Sequence, residues 1–439
     1  MRPRSAPALI APLALVAACS DDTTLAPLPK PEAPSATFVT FNANLAGASY
    51  SKYESERRGP IVDAISRLEA DVVCLQEVWR QSDKDSISQS ARARFPHALS
   101  VQHDLGSAVD DPQDQSGQVP GQPAEAVCAE PAVRDKLLAV MDCMAQNCST
   151  IPGSDLGQAT STDCAVQKCT QAAVSLLFGT DADKKCYGCA AALLPTETLV
   201  GIREQCTTDP RAGIAFGGQN GLLILSRFPL EDTGAWVLPG TWNRRAVLRA
   251  RAVPATGTPF HVFCTHLTEI YNLPAYPYTG VYGEGQTGGK GWENEQLLQA
   301  HKLIAHVSSI AGAEGAAVLL GGFAAGPQLV DYAIEPVGSA TWDLLSTRFD
   351  EALTPDHVAG CTFCTNGENP LAIRAPSAWV DHVLLQGIAL ERVVASARDL
   401  TDSVVSPPDA NDAGGPDAAV ARVPLSDHFG MRATVRLSP

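Results

Sequence analysis

Positive charge is scarce in this sequence of 439 residues. Lysine and arginine together number 32, against 48 aspartates and glutamates, which gives a formal net charge of −16. Nonspecific binding to nucleic acid depends on clustered basic side chains that neutralise phosphates, so this balance disfavours a protein that coats DNA or RNA. It does not exclude an enzyme that acts on a phosphate-bearing substrate, because a local cleft can be positive or hold a metal within an acidic surface.

Long apolar runs are lacking after the N-terminus, so no membrane-spanning helix is predicted further along the chain. The first residues, "MRPRSAPALIAPLALVAAC", contain two arginines, an apolar stretch and small residues before Cys19. This pattern resembles a bacterial lipoprotein signal over residues 1–19, with lipid attached at Cys19; an ordinary cleaved signal peptide is the alternative. Residues 20–36 are polar and proline-rich, as in a flexible tether. We therefore expect an exported, monomeric protein of the bacterial cell envelope, lipid-anchored or secreted.

Export bears on the thirteen cysteines, because an oxidising compartment makes disulfides the expected state. Ten of the twelve that follow Cys19 lie outside the predicted core strands: Cys128, Cys143, Cys148, Cys164, Cys169, Cys186, Cys189, Cys206, Cys361 and Cys364. Cys74 and Cys264 lie inside apolar strand-like runs, and we expect them to be free and buried. The pairs in "CYGC" and "CTFC" leave a four-cysteine zinc site as an alternative to disulfides.

Eight of the cysteines fall within residues 126–210, which do not fit the pattern of the remaining chain. There "DCMAQNC" is echoed by "DCAVQKC", which suggests two antiparallel helices joined by Cys143–Cys169 and Cys148–Cys164 bridges. This connectivity is a hypothesis, since sequence alone does not fix pairing. We predict a small helical insertion that depends on cross-links because it buries little core of its own. The polar residues 100–125 before it are predicted to form a loop.

Helical and strand-like patterns alternate around this insertion. The strand-like "TFVTFNANL" is followed by a helical pattern in "RRGPIVDAISRLEA" and by the buried strand "DVVCLQEVW". The same order recurs in "ENEQLLQAHKLIAHVSSI" and "GAAVLLGG". Further strands are predicted at "GLLILSR", "RAVLRARAV", "PFHVFCTHL", "AWVDHVLLQG" and "HFGMRATVRL". The alternation predicts a layered α/β domain over residues 37–439, interrupted by the insertion.

Polar side chains suited to catalysis stand at the ends of these strands. They are Asn42, Glu77, His266, Asp381, Asp427 and His428. A carboxylate that holds a metal, one imidazole that takes a proton from water and a second that assists the leaving oxygen suffice for phosphoester hydrolysis. Four of these residues also have a purely structural interpretation: Glu77 as a strand cap, Asn42 as a strand end, and Asp427 with His428 as a surface turn.

Six stretches together resemble the endonuclease/exonuclease/phosphatase superfamily, which includes deoxyribonuclease I and the neutral sphingomyelinases. They are "FNANL", "DVVCLQEVW", "GLLILSRFPL", "CTHL", "WVDHVLL" and "PLSDHFGM". The resemblance covers residues 37–100 and 212–439. It implies a four-layer α/β sandwich, in which helices flank two packed β-sheets and the active site lies at the strand ends.

The resemblance also implies roles for individual residues. Glu77 would be the principal ligand of a divalent cation, usually magnesium, and Asn42 would help to hold metal or phosphate. His428, oriented by Asp427, matches the general base. His266 matches the second catalytic imidazole.

One motif of the resembled family is incomplete here. Where the family has "GDFN", whose aspartate aligns the attacking water and whose asparagine stabilises the pentavalent phosphorus, this chain has Gly322 and Ala324. The supporting carboxylate is retained as Asp381. Each loss costs about two to three orders of magnitude in rate unless a group such as Glu269 or His382 compensates. Two functions stay open: an attenuated metal-dependent phosphoesterase, and an inactive surface-anchored binding module on the same fold.

A tyrosine-rich stretch after His266 bears on the substrate. It reads "TEIYNLPAYPYTGVYGEGQTGGKG" and holds half of the eight tyrosines. Tyr271 and Tyr276 are candidates to stack a base or enclose a quaternary ammonium group; the alternative is that the tyrosines pack onto the stretch itself. Arg244 and Arg245 either clasp phosphate or form a solvated pair, and we expect a solvated pair. Phospholipid head group, nucleic acid and small phosphoester all remain possible substrates.

Overall fold

The structure, a computed structural model, describes residues 34–47, 49–103, 125–148, 161–210, 212–273, 275–354, 360–372, 376–405 and 422–438. The predicted signal, Cys19 and the tether up to residue 33 lie outside the described residues, as does most of the loop predicted at 100–125. Those expectations therefore stay predictions. Among the described helices, none combines the length and the apolar character that crossing a bilayer requires.

Two mixed β-sheets form the centre of the fold. The strands, numbered along the chain, are β1 (Ser35–Leu45), β2 (Val72–Val78), β3 (His97–Leu99), β4 (Leu223–Ser226), β5 (Leu230–Leu238), β6 (Arg245–Ala252), β7 (Phe260–His266), β8 (Ala317–Gly322), β9 (Asp350–Glu351), β10 (Asp381–Gln386), β11 (Val393–Asp399), β12 (Ser403–Val405), β13 (Val423–Pro424) and β14 (Gly430–Arg436). The first six-stranded sheet has the order β11-β14-β1-β2-β4-β3, and the second has β5-β6-β7-β8-β10-β9. Strands β12 and β13 form a separate pair.

Helices cover the outer faces of both sheets. The helices are α1 (Glu54–Arg67), α2 (Gln81–Ala91), α3 (Pro131–Asn147), α4 (Ser161–Lys168), α5 (Thr170–Leu177), α6 (Asp181–Leu193), α7 (Leu199–Thr208), α8 (Gly288–Ala311) and α9 (Ser339–Ser346). Ile65 of α1 and Ile87 of α2 pack against the first sheet, and Leu303 of α8 and Leu345 of α9 pack against the second. This arrangement confirms the predicted four-layer α/β sandwich.

The core between the sheets follows from alternation along the strands. In β1, Phe38 belongs to the inter-sheet core, while its neighbour Val39 belongs to the core beneath α1 and α2. Successive side chains of a strand point to opposite faces, so an apolar residue at nearly every position predicts a sheet covered on both sides. Each fully buried side chain of this size contributes about 1.5–3 kcal/mol to stability.

Four strands that the sequence patterns missed lie at sheet edges: the short β3 and β9, and the longer β5 and β11. Strands β5 and β11 each pair on one side only, and most of their residues are at least partly exposed to solvent. An edge strand does not need a continuous apolar pattern, because only part of its surface faces a core. The central strands β1, β2, β7, β8, β10 and β14 were all predicted.

The cysteine-rich insertion is helical, as predicted, and comprises α3 to α7. Disulfides Cys143–Cys169 and Cys148–Cys164 confirm the proposed pairing. Two more bridges, Cys128–Cys186 and Cys189–Cys206, tie α6 to the segments around it. Each is buried within a small apolar core that includes Leu137, Met141 and Leu176. The zinc alternative was wrong, because the cysteines of "CYGC" pair with two different partners and those of "CTFC" pair with each other.

The expectation that Cys74 and Cys264 are free was also wrong. They form a disulfide that joins β2 of the first sheet to β7 of the second, 190 residues apart in sequence. Both side chains are fully buried in the inter-sheet core, as expected of apolar strands. Their pairing depends on which faces of two sheets meet, and no local pattern encodes that.

Candidate functional site

The predicted site residues meet at one end of the two sheets. In the second sheet, strand register places His266, Gly322 and Asp381 side by side on β7, β8 and β10. In the first sheet, Asn42 of β1 is paired with Gln76 of β2, and Glu77 follows directly. The parallel pairs β1–β2 and β7–β8 therefore bring their carboxyl ends, and the polar residues on them, to a common edge.

Glu77 is the carboxylate at the centre of this edge. Its side chain is 16% exposed, and its backbone adopts φ +55°, a left-handed conformation that glutamate rarely takes and that costs about 1 kcal/mol or more. Burial, together with the carboxylates of Glu269 and Asp427, raises the pKa of Glu77 to about 7. Strain and crowded negative charge at one residue are typical of a functional site.

Asn42 holds Glu77 in place. Its Nδ2 donates to Oε1 of Glu77 at 3.0 Å, and its Oδ1 accepts from the backbone N–H of Asn44 at 3.0 Å. The Asn42 side chain is fully buried and is absent from the residues that line the pocket described below. This geometry makes Asn42 a support for Glu77, and its predicted part in holding metal or phosphate stays a prediction.

His428 is oriented by Asp381, not by the adjacent Asp427 as predicted. Nδ1 of His428 lies 2.7 Å from Oδ2 of Asp381, which is fully buried, whereas Asp427 accepts a bond from Ser426. Burial acts to lower the pKa of His428, but Asp381 and then Asp427 and Glu77 outweigh it and raise the pKa to about 10. The three carboxylates therefore favour the protonated form of His428.

His266 has the opposite character. Burial, Arg245 and the charged His428 hold the pKa of His266 well below its usual range, so the ring is neutral. Its Nε2 lies 3.9 Å from Oε1 of Glu77, and its buried Nδ1 has no hydrogen-bond partner among the described residues. A neutral imidazole with an available lone pair can accept a proton or bind a metal ion.

Gly322 lies between His266 and Asp381, where the resembled family has its aspartate. A Cβ added at Gly322 would lie 3.1 Å from Cδ2 of His266 and 3.3 Å from Oδ1 of Asp381, so an acid there would face both. Ala324 adopts φ +47°, a conformation that asparagine tolerates better than alanine. The backbone therefore still has the form that suits the complete motif, while the two functional side chains are missing.

Glu77, His266, Gly322, Ala324 and His428 line a pocket of about 340 Å³. Glu77, Glu269, His266, Arg245 and His428 form its polar side. Its apolar side contains the stacked pair Trp79 and Phe216, with ring centroids 4.4 Å apart, and Tyr271 and Tyr276, 4.8 Å apart. Residues of the cysteine-rich insertion also line it: Ala191, Ala192 and Pro195. The insertion is therefore one wall of the pocket and not a remote appendage.

Some tyrosines of the tyrosine-rich stretch line the pocket, as expected for contact with a substrate, and others pack within the protein. Tyr271 and Tyr276 line the pocket, whereas Tyr278 packs beneath it against Trp292, with its OH donating to Glu295. Burial raises the pKa of Tyr276 to about 12, so its hydroxyl stays protonated.

Of Glu269 and His382, the two residues suggested to replace the lost aspartate, only Glu269 lines the pocket. His382 is fully buried outside the pocket, with Nδ1 against Glu351 and Nε2 against the carbonyl of Ala325. Glu269 lines the pocket. One ligand atom each from Glu77, Glu269 and His266 lies within 4.8 Å of the others.

Several supporting residues were missed by the sequence analysis. Arg57 is fully buried and donates to the backbone carbonyls of Ala43, Asn44, Lys52 and Leu425. The solvated arginine pair was a wrong expectation, since Arg244 and Arg245 are each only 4% exposed. Glu295, Gln296 and Gln299 of α8 are fully buried as well. The one available signal was their position on the same helical face as buried Leu303, where polar side chains need partners.

A divalent cation suits the polar side of the pocket. Glu77 and Glu269 bring two carboxylates close together, and no lysine or arginine of the described chain lies within 4.0 Å of either. Carboxylate oxygens are the ligands that hard divalent cations prefer. Glu77 and Glu269 would hold the cation, which would supply positive charge for a bound phosphate.

The fold and site together define a class: a sandwich of two mixed sheets with a carboxylate–histidine pocket at the strand ends. A sequence model of the endonuclease/exonuclease/phosphatase family matches residues 39–428. The chain belongs to this family.

Solved structures with a similar fold include sphingomyelinase C from Streptomyces griseocarneus, with 15% identity over 92% of this chain and 99% of the other and a TM-score of 0.48. A beta toxin from Staphylococcus aureus with bound magnesium ions has 11% identity, coverage of 92% and 100%, and a TM-score of 0.48. A mannosyl-6-phosphatase from Bacteroides thetaiotaomicron has 11% identity, coverage of 91% and 98%, and a TM-score of 0.44. No curated protein matches the chain significantly.

Proposed function

We propose that this protein is an exported, metal-dependent phosphoester hydrolase. The observation that carries the proposal is the convergence of Glu77, His266 and the Asp381–His428 pair on one pocket that also contains Arg245. Such a pocket combines a carboxylate, two imidazoles and a guanidinium. These are groups that bind a phosphate and transfer protons during its hydrolysis. A divalent cation, magnesium by the family resemblance, would offset the phosphate charge from the Glu77 side.

The two histidines have complementary roles in this proposal. His428 is held by Asp381, which favours its protonated form, so it donates a hydrogen bond to the phosphate or a proton to the leaving oxygen. This replaces the general-base role that the resemblance implied. His266 is neutral and keeps a lone pair that faces Glu77. Asp427 lines the pocket and adds to the field that keeps His428 charged.

Arg245 binds the phosphate in this scheme. It is buried, lines the pocket, and its Nη1 has no hydrogen-bond partner among the described residues. A buried guanidinium without a partner is costly, and a phosphate oxygen would satisfy it.

The substrate is a phosphoester whose non-phosphate part enters the aromatic side of the pocket. Tyr271 and Tyr276 are proposed to contact that part, next to the wall formed by the insertion. A pocket of about 340 Å³ fits a head group or a small organic phosphate. Attachment through Cys19 would keep membrane phospholipids within reach. The rival function, an inactive surface-anchored binding module, is favoured by a single observation: Gly322 and Ala324 stand where the motif has its two functional side chains.

The test is hydrolysis of bis(para-nitrophenyl) phosphate and para-nitrophenyl phosphate by the purified protein with Mg²⁺, Mn²⁺ or Ca²⁺, and with a chelator. We expect metal-dependent turnover that Glu77→Gln reduces at least about 100-fold, while the exposed Glu284→Gln leaves it unchanged. Turnover that persists in the chelator or in Glu77→Gln would contradict the proposal.

A further inference from the structure

A segment of three residues links the second sheet to the polar side of the pocket. Strand β7 ends at His266, and Glu269 lies three residues further along. Both side chains approach Glu77 of the first sheet, so that the ligand atoms of the three residues lie within 4.8 Å of one another. Atoms bound to one metal ion at 2.0–2.2 Å are about 3.0–4.4 Å apart. Inward shifts of a few tenths of an ångström would therefore complete a site.

Buried polar side chains of α8 hold this segment rigidly. Thr268, between His266 and Glu269, receives bonds at its carbonyl from Gln296 (2.7 Å) and at its hydroxyl oxygen from Gln299 (2.7 Å). Its backbone N–H donates to Oε1 of Gln299 at 2.8 Å, and its hydroxyl lies 3.0 Å from Oε1 of Glu295. Buried polar partners that fix a ligand-bearing segment are the usual support of a metal site.

The imidazole of His266 is a second, independent observation. The side chain is only 6% exposed, yet its Nδ1 has no hydrogen-bond partner among the described residues, and its Nε2 faces Glu77 without reaching hydrogen-bond distance. A buried polar ring without a partner is costly. A ligand at Nε2 would give the ring a polar partner next to Glu77, whereas Nδ1 would stay without one among the described residues.

We propose that Glu77, Glu269 and His266 form a mixed carboxylate–imidazole site for a divalent transition-metal ion. Glu269 thereby supplies a second carboxylate at the metal, in a pocket that has no carboxylate at Gly322. An imidazole donor favours manganese, iron or zinc over magnesium, which takes oxygen ligands. The site would serve the proposed hydrolase function, and to that extent the inference rests on it, but metal binding can be measured by itself. The inference replaces magnesium by a transition metal as the expected ion and makes the imidazole of His266 one of its ligands.

The experiment measures metal binding directly. Calorimetric titration of the purified protein with Mn²⁺ and Mg²⁺ should give one tight Mn²⁺ site and weaker binding of Mg²⁺. Glu269→Gln and Glu77→Gln should each weaken Mn²⁺ binding at least about 100-fold, more than a change beyond the ligands does. The exposed Glu284→Gln should bind as the natural protein does, and circular dichroism should show that all variants are folded.

Pulsed electron paramagnetic resonance of bound Mn²⁺ supplies the second measurement. We expect modulation from a coordinated imidazole nitrogen that disappears in His266→Asn but persists in the control Glu284→Gln. Unchanged Mn²⁺ affinity in Glu269→Gln, or a nitrogen signal that survives His266→Asn, would overturn the site. If the natural protein binds Mn²⁺ as proposed but hydrolyses no phosphoester, the result counts against the hydrolase function alone. If it hydrolyses phosphoesters with a metal but Glu269→Gln binds Mn²⁺ equally well, the result counts against this site alone.

Discussion

The disulfide between Cys74 and Cys264 should contribute more to stability than any short-range bridge of the protein. It joins the two sheets and closes a segment with a sequence separation of 190. The chain-entropy relation gives about 5 kcal/mol for a loop of that length and about 2 kcal/mol for the Cys361–Cys364 loop, with a separation of 3. Both bridges are buried, so the loss of apolar contact is comparable. Removal of the inter-sheet bridge should therefore cost about 3 kcal/mol more.

The assay is urea denaturation of Cys74→Ala/Cys264→Ala and of Cys361→Ala/Cys364→Ala, followed by fluorescence. Of the two strands joined by the first bridge, β2 carries Glu77 next to its last residue and β7 ends in His266. We therefore also expect that variant to lose hydrolytic activity at urea concentrations below its unfolding midpoint. Equal losses of unfolding free energy in the two double variants would refute the reasoning from loop length. A stable inter-sheet variant with full activity would refute the role of the bridge in holding the site.

Three further outcomes are expected. Ala324→Asn should raise the free energy of unfolding by about 0.5–1 kcal/mol in urea denaturation, because φ +47° suits asparagine, and a loss would contradict this. Arg57→Met should lower it by about 3 kcal/mol or more because four carbonyls, those of Ala43 and Leu425 in buried bonds, lose their donor. The exposed Arg67→Met should change it by less than about 0.5 kcal/mol. Burial lowers the pKa of His306 to about 4. As the pH falls from 6.5 towards 4, this histidine therefore takes up a proton in the unfolded chain before it does so in the folded protein. The free energy of unfolding should decline over that range by about 2 kcal/mol, after allowance for partial exposure of the ring. His306→Phe should flatten that decline and the exposed His301→Phe should not, and an identical pH profile in both would count against the assignment.

Most of the fold could be predicted from local sequence patterns, because a strand buried on both faces has an apolar residue at nearly every position. The central strands β1, β2, β7, β8 and β10 read as apolar runs, and the helical spacing of Ile61 and Ile65 predicted α1. The edge strands β5 and β11 were missed because much of their surface faces solvent. The Cys143–Cys169 pairing was predictable because two helices repeat one cysteine spacing. Cys74 and Cys264 show no such repeat, and only the packing of two sheets brings them together.

The convergence of the predicted residues at one end of the sheets followed from their places at strand ends, but their hydrogen-bond pairing did not. Asp427 is next to His428 in sequence, yet the turn that carries both directs Asp427 to Ser426 and leaves His428 to Asp381, 47 residues away. Adjacent residues outside a helix seldom point the same way, so sequence proximity is a poor guide to a carboxylate–histidine pair. Burial of Arg245 was missed for a related reason, because the pocket around it is built from distant segments.

The central claim is that the pocket turns over a phosphoester despite the incomplete motif. The most direct measurement compares hydrolysis of bis(para-nitrophenyl) phosphate with Mn²⁺ by three proteins: the natural chain, Glu77→Gln, and Gly322→Asp/Ala324→Asn. The account predicts measurable turnover by the natural chain, loss of at least about 100-fold in Glu77→Gln, and a higher rate in the restored variant. Turnover by the restored variant alone would contradict this expectation and would show a family scaffold whose catalysis has been lost.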